Sequence, residues 1–331
     1  MKRCVFLALT VLVFLSGCSR HSKELRLGTG NTSGTYYAFG NALAHQLREE
    51  NNALTMTVKN TAGSAANLRL LREGFLQFAI VQSDTLSDAV NGEGVFSQAG
   101  TYKGYAAIAG LYTEACQIIV SASSDIQTVR ELIGRKVSIG EAESGVRKNA
   151  EEILLSYGLT LQMIEPVSLS FTDSAAALER GEIDAFFCTA GAPTTAVSEL
   201  VGRMEIRLLS LSPESLGNLM ALGGGYTPCT IPAFTYPGQA DVVSTVGVKA
   251  VLVADSSVEK DTVAVITKSL LEKGDKLRGI VNIAIPDDSE YAVKDIPCPF
   301  HAGSAAYYAE RGISVEVAAG ETKSLFTVTQ D

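Results

Sequence analysis

Gly28-Thr29-Gly30-Asn31-Thr32-Ser33-Gly34-Thr35-Tyr36-Tyr37 is the densest polar turn in the chain. It follows the alternating segment Leu25-Arg26-Leu27. It precedes residues 36–49, where Phe39, Leu43 and Leu47 recur at helical spacing beside Tyr36 and Gly40. Strand, glycine turn and amphipathic helix in that order open a β–α unit. The first backbone N–H groups of a helix lack intrahelical partners and carry the positive end of its dipole, so this turn is a candidate anion site. The spacing G-x-G-x-x-x-G lies near a dinucleotide fingerprint. No acid stands at a second strand end about 20 residues on, where a ribose needs one. The turn therefore reads as a small-anion site, with a plain helix cap as the alternative.

Outward from it the same grammar repeats. Residues 54–58 alternate as a strand, Ser64 is placed to cap a helix over 65–73, and Gly74 ends it. Residues 78–81 read as a buried strand, and Ser83 caps a helix over 84–90. A second run starts beyond residue 123: strands at 136–139, 164–169 and 184–188, and helices at 146–157 and 173–180 stopped by Gly158 and Gly181. This order gives an α/β fold of two lobes, each a mainly parallel sheet flanked by helices. Two local echoes support the pairing: Gly28…Ser33-Gly34 against Gly140…Ser144-Gly145, and Leu71-Arg72-Glu73-Gly74 against Leu178-Glu179-Arg180-Gly181. The apolar stretches 117–121 and 246–254 read as two crossings, a two-strand hinge. Lobe I is then discontinuous (25–122 plus 245–331) and lobe II is inserted (123–244). Residues 213–239, rich in Gly and Pro, read as loop.

In an open α/β sheet the turns at the carboxyl ends of the strands converge. Four more polar turns belong there: Thr61-Ala62-Gly63-Ser64-Ala65-Ala66-Asn67, Gln82-Ser83-Asp84, Glu143-Ser144-Gly145-Val146-Arg147 and Thr189-Ala190-Gly191-Ala192-Pro193-Thr194. Five such turns from two lobes make a shared binding cleft a better reading than five separate caps. Arg147 is the only basic side chain among them. It is either a bidentate partner for a ligand carboxylate or a solvated helix residue. Asp84 is suited to an ammonium group, or simply to the start of its helix. Motifs for nucleophilic, zinc-dependent and P-loop chemistry are absent from the sequence, which calls for no catalytic residue, cofactor or metal.

The 331 residues carry 27 basic and 36 acidic side chains, a formal charge of −9, which argues against a nucleic-acid partner. Lys2 and Arg3 precede an apolar run over 4–15, too short to span a bilayer, as in a secretory signal peptide (1–17). Leu15-Ser16-Gly17-Cys18 resembles the bacterial lipobox. The resemblance implies a lipid on Cys18, a tether over 18–24 and a body held outside the cytoplasm on a bacterial membrane. Cys116, Cys188, Cys229 and Cys298 remain, without zinc spacing. An oxidising compartment permits a disulfide. Cys229–Cys298 ranks first because both lie in Pro-containing, loop-like stretches, and four buried thiols stand as the alternative.

Taken together, Leu27-Gly28-Thr29-Gly30…Ser33-Gly34-Thr35-Tyr36-Tyr37, Thr61-Ala62-Gly63-Ser64-Ala65-Ala66-Asn67, Val81-Gln82-Ser83-Asp84, Ile183-Asp184-Ala185-Phe186-Phe187 with Gly191-Ala192-Pro193, and Phe300-His301-Ala302-Gly303 resemble the TAXI family of TRAP-transporter solute receptors. The resemblance runs from about Leu25 to Gly312. It implies a type II periplasmic-binding-protein fold and a monomeric receptor. Such a receptor hands a small organic anion or amino acid, glutamate-, glutamine- or dicarboxylate-like, to a membrane permease. Carried over by position, Ser33, Gly34, Thr35, Tyr36, Ser64, Asn67, Gln82 and Ser83 would line one wall. Ser144, Gly145, Ala192, Pro193 and Thr194 would line the other. Glu143 stands where that family usually has glycine, which bears on a second ligand carboxylate. An enzyme or a surface sensor lipoprotein on the same scaffold are the competing readings.

Overall fold

The computed structural model describes residues 24–51, 54–281 and 288–319. The expected signal sequence, Cys18 and most of the expected tether lie outside them. The first half runs β1 (Leu25–Gly28), α1 (Thr35–Glu50), β2 (Met56–Lys59), α2 (Ser64–Arg72), β3 (Phe78–Gln82), α3 (Ser83–Asn91) and the long β4 (Tyr105–Ser121). The second half runs β5 (Lys136–Ser138), α4 (Gly145–Ser156), β6 (Glu165–Val167), α5 (Phe171–Glu179), β7 (Ala185–Ala190), α6 (Thr195–Val201), β8 (Ile206–Leu208), α7 (Pro213–Leu222) and β9 (Thr227–Ile231). The chain returns along β10 (Val243–Asp255) and closes with α8 (Lys260–Glu272), α9 (Gly274–Val281), α10 (Ser289–Val293) and α11 (Ala302–Ala309).

One curled sheet has the order β2-β1-β3-β10-β4-β7-β5-β6, with β8 on β4 and β9 on β10. At either end three strands are parallel, β2-β1-β3 and β6-β5-β7. Between them β10 and β4 run antiparallel, in register from Gly247↔Ala115 to Asp255↔Tyr105 with two irregular steps. β4 is buried along nearly all its length, as a strand covered on both faces must be. Its first part, with the end of β10, packs in one core with Phe39, Leu43, Phe78 and Tyr308. Its last part packs in two further clusters with Val137, Ile153, Phe187 and Leu200. The two crossings expected from sequence are thus one antiparallel pair that starts earlier in β4 than the apolar stretch at 117–121 suggested.

Three expectations are corrected. Residues 213–239 are not all loop, because α7 and β9 lie there. Ser212 caps α7 by accepting from the Ser215 N–H, Pro213 occupies its first turn, and Gly223 ends it at φ 73°. The Gly and Pro signals were helix punctuation. Ser64 and Ser83 are not caps. Gly63 and Gln82 hold those positions, while the two hydroxyls accept from the Gln82 and Lys249 backbone N–H groups and tie α2 to β3 and α3 to β10. Finally, all four cysteines are free. Cys298 belongs to the first core and Cys229 packs against the other end of the sheet, so that pair is not a disulfide.

Candidate functional site

The turns after β1, β2 and β5 meet the last residues of β3 and β7, Gln82, Thr189 and Ala190, as the parallel strands require. They enclose a cavity of about 50 Å³, room for a few water molecules. Gly34, Thr35, Tyr36, Ser64 and Gln82 line it from the first half, and Ser144 and Gly145 from the second. The starts of α1, α2 and α4 therefore all border one space. Neither α1 nor α2 is capped by a side chain. α4 is capped by Ser144, whose Oγ accepts from the Arg147 N–H. Close approach at the seam rests on two glycines. A Cβ at Gly145 would stand 1.8 Å from Gln82 Oε1, and one at Gly63 would stand 3.3 Å from Ser144 Cα.

Seven of the residues expected here have other positions. Asn67 is fully buried, and its side chain is consumed by the protein. Nδ2 donates to Thr29 O at 2.6 Å and Ile80 O at 2.9 Å, and Oδ1 accepts from Thr61 Oγ1 at 2.8 Å. Thr194 is fully buried as well, bonded to Gln117, Gly191 O and Tyr236. Ala192 and Pro193 share its turn but stay outside the wall, which Thr189 and Ala190 form instead. Arg147 pairs along its own helix with Glu151 at 2.9 Å and does not reach the cavity. Ser83 lines a separate cavity. Ser33 sits at the seam and bonds Asn31 and, across it, Thr172 at 2.8 Å.

Two acids that the sequence reading did not select line the cavity. Glu114, on β4, is buried and accepts from the Tyr36 hydroxyl at 2.6 Å. Burial pushes its carboxyl up to about 8 despite that bond. Glu141 is raised by burial and by Asp173. Gln82 Oε1 is buried without a hydrogen-bond partner among the described residues. No Lys, Arg or His among the described residues lines the space. Glu114 had a signal in the sequence: it is the one charged residue in the otherwise apolar and small run 105–121. Glu143 turns away to a bidentate pair with Arg69 of α2, at 2.8 and 2.9 Å, and its carbonyl accepts from the Ala66 N–H at 3.0 Å.

Two α/β halves joined by a pair of strands, with polar turns from both around one cavity, define the fold of two-lobed periplasmic solute-binding proteins. Solved structures share it at low identity. One described as a periplasmic transporter is 14% identical, with 82% of this chain and 90% of that chain covered and a TM-score of 0.54. PhnD1 from Prochlorococcus marinus, in complex with methylphosphonate, is 12% identical, with 82% and 95% covered and a TM-score of 0.53. The periplasmic aliphatic sulphonate binding protein SsuA from Escherichia coli is 17% identical over 88% of both chains, with a TM-score of 0.46. The model of the NMT1-like family matches residues 27–312, and the chain belongs to that family.

Proposed function

We propose that the protein is an extracytoplasmic receptor of the TAXI type. It closes its two lobes on a small carboxylate-bearing solute and hands it to a TRAP-type membrane permease, without chemistry on the solute. Lobe I is then 25–122 plus 245–331 and lobe II is 123–244, with β4 and β10 as the hinge. The carrying observation is a cavity shared by both halves that holds two kinds of polar group left for a guest. The uncapped start of α1, and that of α2 short of the Ala66 N–H that the Glu143 carbonyl takes, suit a carboxylate. Gln82 Oε1 is an acceptor with no partner among the described residues, and Glu114, which holds its proton up to about 8, would yield that proton to a guest ammonium placed beside it. A guest with a carboxylate at one end and a protonated amine at the other meets both demands, so an amino acid fits better than the dicarboxylates. Thermal-shift and native mass spectrometric screening with both classes tests this. Stabilisation by an amino acid is expected. Stabilisation by dicarboxylates alone would overturn the amine assignment, and no response from either class, with nothing co-purifying, would overturn the receptor.

The lipid anchor is part of the same proposal and rests on Leu15-Ser16-Gly17-Cys18. Fatty-acid labelling of cells that produce the protein should mark the wild type and not Cys18→Ala. Labelled Cys18→Ala would refute the anchor.

A further inference from the structure

A second polar cluster joins the two halves outside the ligand cavity, where α3 meets α4. Asp84 Oδ2 accepts from Asn149 Nδ2 at 2.8 Å, and both residues are almost fully buried. Asp84 Oδ1 accepts from the Thr85 N–H of its own helix. Asn149 also donates to the Tyr226 hydroxyl, which donates to Glu152. Lys148 stands nearby but is held by Asp88 at 2.6 Å and Glu152 at 3.3 Å, two carboxylates for one ammonium. Glu114 and Cys116 of β4 are further titratable groups on the sheet side, both within electrostatic reach of Asp84. Across the adjoining cavity stand Lys249, Tyr291, Lys294 and Asp295. The Lys249 ammonium is bonded there to the Tyr291 and Lys294 carbonyls.

This cluster is poorly suited to permanent attachment. Asn149 Oδ1 is buried without a partner among the described residues. Burial pushes the Asp84 carboxyl up to about 7, against the pull of Lys148. A buried carboxylate whose main cross-seam partner is a neutral amide is costly when ionised. Separation of α3 from α4 would return Asp84 to water. Asp84 also lines the second cavity, of about 340 Å³, which gives a proton a route in the closed form.

We propose that Asp84 and Asn149 form a proton-coupled latch: closure takes Asp84 out of water and draws a proton onto it, so the closed form gains as the pH falls. The proposal rests on the reading that the halves open and close. The direction follows from linkage. A hydrated Asp84 titrates near the ordinary ~4, and the buried one near 7. Between those limits the closed form holds more proton, and the closed-to-open ratio changes by up to about tenfold per pH unit. Glu114 acts in the same direction from inside the cavity, centred higher, at about 8.

The test uses the mature chain without added ligand, with spin labels on exposed positions of the two halves, Phe75 and Leu155. Inter-label distances are recorded from pH 5 to 9. The closed fraction is expected to rise as the pH falls, with a component centred near 7. That component should survive Glu114→Gln and vanish in Asp84→Asn. A wild-type closed fraction independent of pH, or an Asp84→Asn protein that titrates like wild type, would overturn the latch. If Asp84→Asn does not fold, Asn149→Ala serves instead. It removes the cross-seam partner, so its closed fraction should be smaller at every pH, and an unchanged fraction counts against the proposal. Because no ligand is present, failure here leaves the receptor reading standing, and a failed ligand screen leaves the latch testable.

Discussion

Glu114 and Asn67 show how a single residue's role is fixed by what surrounds it. Glu114 stays protonated to about 8 because burial outweighs the Tyr36 bond that favours its charge. The folded chain thus holds that proton more tightly than the unfolded chain. Its contribution to stability is complete below the ordinary carboxylate range, near 4, and is lost as the pH rises through about 8. Asp84 behaves likewise up to about 7. The melting temperature of the ligand-free protein should therefore fall from pH 5 to pH 9. In Glu114→Gln the upper part of that fall should disappear, as thermal melts across the range will show. Asn67 is the contrary case. Two of its hydrogen bonds tie α2 to Thr29 just past β1 and to Ile80 within β3, and the third holds Thr61 of the preceding turn, so it builds the wall without touching a guest. Asn67→Ala removes a donor from the Thr29 and Ile80 carbonyls, of which Thr29 keeps the Thr61 hydroxyl, and should cost about 1–3 kcal/mol of stability. Chemical denaturation measures that loss. Affinity for the amino acid that stabilises the wild type should stay near the wild-type value.

At the scale of elements, the alternation of strands and helices was legible because each signal is local. Phe78-Ala79-Ile80-Val81 is apolar throughout, as an interior strand covered on both faces is, and all of β3 is buried. The glycine turns before α1 and α4 were legible for the same reason. The function of residues such as Asn67, Thr194 and Arg147 was not, because a polar side chain at a cleft turn reads alike whether it faces guest or wall. What distinguishes them is the partner each finds in the fold, near for Arg147 on its own helix and often far along the chain for others. Gln117 is 77 residues from Thr194, and Glu143 is 74 residues from Arg69. Gly145 illustrates a dependence that only the assembled seam reveals. As the first residue of α4 it would tolerate alanine in an isolated helix. In the folded protein the added Cβ would lie 1.8 Å from Gln82 Oε1 and 3.1 Å from Thr85 Oγ1. Overpacking of this kind costs roughly 1–3 kcal/mol, about five- to hundredfold in the closed-to-open ratio. Gly145→Ala should therefore fold with near-wild-type helix content yet bind more weakly the solute that stabilises the wild type. With ligand present, small-angle scattering should report a larger radius than for wild type.

For the whole molecule, the question is how two halves that share one sheet hold a guest firmly and still release it. Contacts across the seam are numerous but individually modest: Arg69–Glu143, Ser33–Thr172, Lys148–Asp88, and the Thr35 hydroxyl on the Gly191 carbonyl. Arg69 and Glu143 are 44% and 46% exposed, so solvent screens them and their pair contributes roughly 0.2–1 kcal/mol. A rim of this strength cannot hold the halves shut alone; the guest must add contacts to both. Reversal of one rim charge tests that balance without entering the cavity. Arg69→Glu sets two carboxylates against each other and should lower ligand affinity several-fold at low ionic strength. Salt should largely remove the loss, because exposed charges are screened within a Debye length of about 8 Å at physiological ionic strength. The double change Arg69→Glu with Glu143→Arg should restore most of the affinity, since the backbone bond from Ala66 to the Glu143 carbonyl is unaffected. Isothermal titration of the two variants at low and high salt decides the matter. If affinity in Arg69→Glu equals wild type at both, closure does not depend on this rim, and the weight falls on the cavity and the α3–α4 contact.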